Sequence, residues 1–378
     1  MSPQDTPAPA VGAVPAAEMG TTSAEAVAEG ALAPLARAGS TAKEPVLPLS
    51  YLDSAQAYFA EIGEDVSNAL LMGVSGEAFR LFYDRANPGR SGSVFLHNPL
   101  RALCGALGYN HTIEFHEKRE DAMAAVEAHH EERRPVILQF GDDFPLVYPG
   151  MRVRLAGKET SMTRAEVQAG LADTEGFLEL GLYGYYVFTI GERDREPKPE
   201  QVYRGALRRA RKIARAERRV RGCAVGLLAY DSMIAVLRAK RDLTRVTYAE
   251  IARIADWNGA SSRQLIESRR AGVGFLQSAL GVFEEEGQPE AMEGAIKHLT
   301  ETVSQLESAL ARHPARTAAA RSRYVLEPDP GELRRAYLRK FFRACQTASK
   351  SLERAHDSER KAMEDIQRVI NISEKTRM

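Results

Sequence analysis

Cysteine is scarce in this chain: Cys104, Cys223 and Cys345 stand far apart among 378 residues, and none belongs to a CxxC pair. That spacing argues against a disulfide framework or a structural zinc knuckle and makes a reducing compartment the natural one. Long apolar runs are lacking as well. No stretch of about 18 apolar residues occurs, so no membrane-spanning helix is expected. The opening Met1-Ser2-Pro3-Gln4-Asp5 sets no basic segment ahead of an apolar one, which argues against a secretory signal and for a cytoplasmic protein. Net charge is also missing: Lys plus Arg and Asp plus Glu number 51 each, so the chain as a whole has no field suited to nucleic acid or an anionic membrane. Locally, Arg208, Arg209, Arg211, Lys212, Arg215, Arg218, Arg219 and Arg221 make a basic helical stretch. Such a stripe can track a phosphate backbone. A solvated helix face is the simpler account, and neither nucleic acid nor a membrane is expected as a partner.

What is present divides into three parts. Residues 1–44 are mostly Ala, Pro, Thr, Gly and Glu, too poor in large apolar groups to offset the entropy of ordering, and read as a disordered leader. Residues 45–199 read as an α/β domain. Helices are expected over Ser54–Ile62, capped by Asp53 or Ser54, over Ser67–Met72, ended by Gly73, over Pro99–Leu107, stopped by Gly108, and over Arg119–His130. Strands are expected at Thr112–Phe115, Pro135–Phe140 and Gly184–Gly191. Residues 200–378 read as a helical domain, with helices at Gln201–Arg219, Gly226–Arg238, Ala249–Ile254, Ser261–Phe275, Pro289–Leu310 and a last long segment from Asp329 to near Ile372. Helices of that length need one another to hide their apolar stripes.

Few residues form chemistry-bearing groups. Cys104 lies seven residues after His97, but a small apolar side chain packed among Leu100, Leu103 and Leu107 is the simpler reading. His111, His116, His129, His130 and Glu114 lack an HExxH-type frame, so no metal or other cofactor is expected. Asp142-Asp143 follows the most apolar strand, at the end where ligands sit in open sheets. Gly89-Arg90-Ser91-Gly92-Ser93 lacks the Lys-Ser/Thr ending of a phosphate loop. Trp257 is expected to pack on Ile254 and Leu265.

The glycine-spaced runs Gly63-Glu64-Asp65-Val66-Ser67 and Met72-Gly73-Val74-Ser75-Gly76-Glu77-Ala78-Phe79-Arg80 carry a resemblance, together with Pro135–Leu138, Tyr185–Phe188, Gly226–Asp231 and Glu267–Leu276. In their order they are similar to the peptidase C39-like family, with its butirosin-biosynthesis acyltransferase relatives. The resemblance implies an α+β chain: a papain-like α/β domain followed by a mostly helical one. It also implies a Cys at the start of the first helix and a His beside a later strand, the pairing that makes a thiolate nucleophile. Asp53 and Ser54 stand at the first position. No His occurs between Pro149 and Arg195, where Tyr183, Tyr185 and Tyr186 lie instead. The expectation is therefore a non-catalytic protein that binds a small molecule or a protein partner in a cleft between the two parts. Arg80, Tyr83, Asp142 and Tyr185 are its candidate contacts, with Ser54 and Asp53 at the nucleophile position. The alternatives are an acyltransferase or an amide or thioester hydrolase using a replacement nucleophile, and a helical scaffold that forms homo-oligomers.

Overall fold

The computed structural model describes residues 50–83, 98–141, 143–171, 174–175, 183–215, 223–240, 248–312 and 331–375. The expected leader, the Gly89–Ser93 loop, His97, Asp142, Arg218, Arg219, Arg221 and the Trp257 side chain lie outside them.

Helix α1 (Ser50–Glu61) begins three residues before Asp53, so Asp53 and Ser54 are inside its first turns and neither caps it. Helix α2 (Asn68–Ser75) is capped by Ser67, whose hydroxyl accepts from the Leu70 amide at 3.2 Å. It was expected to stop at Gly73. It continues to Ser75 and ends on Gly76, at φ 86°. Gly73 serves a different need, because a Cβ there would stand inside the Phe275 ring. A 3₁₀ turn (Glu77–Phe79) and β1 (Phe82–Tyr83) follow. Helix α3 (Pro99–Leu107) forms as its sequence signals it: Asn98 accepts from the Arg101 amide at 3.0 Å, Pro99 sits in the first turn, and Gly108 closes it at φ 83°.

Then come β2 (Tyr109–His116), α4 (Arg119–Glu131), β3 (Val136–Leu138), β4 (Leu146–Tyr148), β5 (Arg152–Leu155), β6 (Lys158–Ser161), α5 (Arg164–Gly170), β7 (Thr174–Glu175) and β8 (Tyr183–Arg193). The sheet runs β2-β8-β3-β4-β5-β6, with β7 on β8, and every pairing is antiparallel. Strand alternation gives it two working faces. Ile137, Leu146, Phe188 and Ile190 pack with α1, α2 and α3 in the largest apolar cluster. Their neighbours Val136, Leu138, Val147 and Val187 pack with Ala122, Met123 and Val126 of α4.

The remaining elements are α6 (Pro199–Ala214), β9 (Ala224–Val225), α7 (Leu227–Arg238), α8 (Tyr248–Ala279), a 3₁₀ turn (Leu280–Val282), α9 (Gln288–Arg312) and α10 (Gly331–Lys375). Helix α8 replaces the two separate helices expected there. A single glycine costs a helix only about 1 kcal/mol, and the buried stripe of Leu265, Ile266, Phe275 and Leu276 outweighs Gly259. The architecture is α+β, an antiparallel sheet followed by long helices. Two features join its parts. The largest cluster draws Val202, Tyr203, Phe275, Met292 and Ile366 in with Leu52, Phe59 and Leu71. In addition, β9 returns to pair with β1, Phe82 opposite Val225. Among the described residues no helix is long and apolar enough to cross a membrane.

Candidate functional site

Ser54 is fully buried on the sheet side of α1, and its hydroxyl donates to the Phe144 carbonyl at 2.5 Å. Asp53, 4 % exposed, turns to the β5–β6 hairpin. Its carboxylate accepts from Arg154 Nη2 at 3.0 Å and from the Gly157 amide at 2.9 Å. Both polar groups are thus committed to holding α1 against the sheet. Of the histidines in the described residues, His129 is bonded to Glu114, which His116 also faces at 3.6 Å, His130 to the Val147 carbonyl and His298 to Asp365, while His111 stacks on Phe188 and His356 on Tyr230. The three thiols are buried, and desolvation pushes the Cys104 thiol up to about 12, where almost no thiolate exists at neutral pH.

A second polar group lies at the far end of Tyr51. This tyrosine stands one turn before Ser54, and its ring meets Phe144 edge-on at 5.8 Å. Its hydroxyl lies beside Glu77 and Arg80, which are ion-paired with each other and 2 % and 7 % exposed. Burial, reinforced by the Glu77 charge, holds the Tyr51 phenol well above its usual range, so it stays protonated. The Arg80 guanidinium also lies 5.2 Å from the Phe82 ring centroid. Of the expected residues, Arg80 thus stands with Tyr51 and Glu77, which composition and spacing had not singled out, while Asp53 and Ser54 are bonded to the β5–β6 hairpin and to the Phe144 carbonyl. A carboxylate three residues before Arg80 in a glycine-bounded turn was the available signal.

The helical part grips this same turn. Arg269, fully buried, donates from Nη1 to the Ala78 carbonyl at 2.8 Å and the Arg80 carbonyl at 3.2 Å. Its other face is doubly bonded to Glu359, at 2.8 and 2.6 Å. The Tyr230 hydroxyl donates to Glu359 as well, at 2.8 Å. Burial alone would pull the Arg269 guanidinium down; Glu359 and Tyr230 reverse this and keep it charged. On α6, Arg209 donates to the Val74 carbonyl, one of the last free carbonyls of α2.

The other candidates lie apart. Tyr83 is in β1, opposite Ala224, in the apolar cluster of the helical part. Tyr185 is on the opposite face of the sheet, across from His116, with the Arg119 guanidinium 5.5 Å from its ring centroid. The chain matches no family model, and no curated protein aligns with it. The peptidase C39-like, papain-like and butirosin-related labels are accordingly withdrawn. Local needs account for the glycine-spaced run that suggested them: Gly73 admits the Phe275 ring, and Gly76 ends α2.

Proposed function

We propose that residues 50–375 form a binding protein that carries out no covalent chemistry, with a small polar molecule as its ligand at the seam of Tyr51, Glu77 and Arg80. The single observation behind this reading is the hydroxyl of Ser54: it is spent on the Phe144 carbonyl, with no imidazole hydrogen-bonded to it among the described residues. A serine needs a base within hydrogen-bond reach to act as a nucleophile. The buried Glu77–Arg80 pair supports the seam as the contact site. Buried charge is a weak source of stability, and a ligand that exchanges with one partner accounts for its presence. The scaffold alternative finds less support, since Ile62, on the α/β part, is the large apolar side chain that stands exposed among the described residues.

Native mass spectrometry of the purified full chain tests the reading. A co-purified small molecule should be present in the wild type, retained by Ser54→Ala and lost on Arg80→Ala. Hydrolysis of an acyl thioester or amide that Ser54→Ala abolishes would overturn it.

A further inference from the structure

The two edge strands of the sheet are built differently. β6 is four residues long, exposed throughout, and carries Lys158 and Glu159. Shortness and charge are common devices that keep an edge from pairing. β2 runs for eight residues, Tyr109–His116, and holds no Lys, Arg or Pro. Among the described residues β8 is its one strand neighbour. The ladder shows which of its backbone groups are spare, because a strand residue turns its N–H and C=O to the same side. The Leu138 amide donates to the Pro145 carbonyl at 3.0 Å, so Val136 and Leu138 face β4 and Ile137 faces β8. Phe188, opposite Ile137, faces back to β3, which leaves Val187 and Thr189 to face β2. Glu114 and Thr112, opposite those two, spend their backbone groups on β8. The N–H and C=O groups of His111, Ile113 and Phe115 therefore point off the sheet, and among the described residues they have no hydrogen-bond partner.

We infer that β2 pairs antiparallel with β2 of a second copy of this chain, about a two-fold axis at Ile113, so that two sheets become one. A two-fold lets one surface serve as both halves of the contact. Centring it on Ile113 uses every spare group named above. The two Ile113 residues exchange a pair of N–H···O=C bonds, and each His111 exchanges a pair with the Phe115 opposite. The side chains fit this register, since residues directly opposite each other share a face of the sheet. The two Ile113 side chains meet, each Phe115 ring meets a His111 ring, and each Glu114 lies opposite the exposed Thr112. No like charges are set against each other. An axis at Glu114 would place two carboxylates directly opposite, which is destabilising. Charge thus selects the Ile113 register, and a second copy supplies the matching strand without any foreign sequence. Strands this short bury less than the about 1,000 Å² of a stable interface, so the association is weak and reversible.

Sedimentation velocity of the full chain, at concentrations from about 1 to about 200 μM, tests the pairing; a dimer with a Kd on the order of 10 μM is expected. Ile113→Pro deletes an amide that β8 does not use, and an edge strand accepts proline at such a position. This variant should stay monomeric across the range. Thr112 is exposed, so charge can be placed there without disturbing the core. Thr112→Glu, facing Glu114 of the second copy, should weaken the dimer, and Thr112→Lys should strengthen it, each by about 2- to 30-fold. Should Ile113→Pro fail to fold, these opposite shifts decide. A monomer at every concentration overturns the inference. So does a dimer that Thr112→Glu and Thr112→Lys leave unmoved or shift in the same direction, since its contact then lies on another surface.

Discussion

Two arginine–carboxylate pairs tie this molecule together, and they sit in opposite surroundings. Arg154–Asp53 joins the β5–β6 hairpin to α1, with 29 % of the arginine side chain still exposed. Arg269–Glu359 joins α8 to α10 at 0 % and 2 % exposure. Water shares the first pair's charge, so its strength reflects hydrogen-bond geometry more than Coulomb attraction. The second has lost its water entirely and is balanced only by the bonds it makes. Every polar atom there has a role: three carboxylate contacts from Arg269 and Tyr230, and two backbone carbonyls of the 78–80 turn. The inner pair therefore fixes where the turn carrying Arg80 stands against the helices. The outer pair fixes where the helix carrying Ser54 stands against the sheet.

Breaking the inner pair should have the largest effect. Arg269→Met leaves Glu359 charged and buried, and a loss of about 3–5 kcal/mol is expected in urea unfolding. The double variant Arg269→Met, Glu359→Leu should recover much of that loss, since it removes both charges. If the single variant costs no more than a surface pair, the contrast between the two sites collapses. Arg154→Met comes next. Asp53 keeps the Gly157 amide and some access to water, so about 1–2 kcal/mol is expected. This loss should shrink in 1 M salt, whereas that of Arg269→Met should not. Ser54→Ala ranks third, at about 1 kcal/mol, for the hydrogen bond removed from the Phe144 carbonyl. A much larger loss would mean that the hydroxyl holds α1 more firmly than one neutral hydrogen bond can.

Local signals were legible where one residue type does one job. Asn98, Pro99 and Gly108 bracket α3, and the apolar run at Val136–Leu138 yields β3. Gly73 was misread because a glycine that ends a helix and one that admits a neighbouring ring look alike in sequence; only Phe275, some 200 positions later, tells them apart. The β4, β5 and β6 hairpins were missed since each strand has only three or four residues, too few for an alternation to register. Ser54, Asp53 and Arg80 were chosen by position. Their commitments to Phe144, Arg154 and Glu77 were hidden, being set mainly by partners that the fold brings from elsewhere.

The smallest effect concerns the two faces of the sheet and is read in pH. His130, against the Val147 carbonyl, and His111, stacked on Phe188, both have their imidazole pKa lowered. Burial is the main cause in each. The positive charge of Arg101 adds to it at His111, while at His130 the neighbouring His129 adds and the Val147 bond opposes. A folded-state pKa below the unfolded one means that the unfolded chain binds more protons as the pH drops. Stability contributed by these neutral rings is therefore complete above about pH 6.5, the unfolded value, and is lost progressively below it. Urea midpoints measured between pH 7.5 and 5.5 should fall for the wild type. They should fall less steeply for His130→Asn, and less steeply still when His111→Asn is added. An unchanged slope in the double variant would show that both rings take up protons as readily in the folded protein as in the unfolded chain.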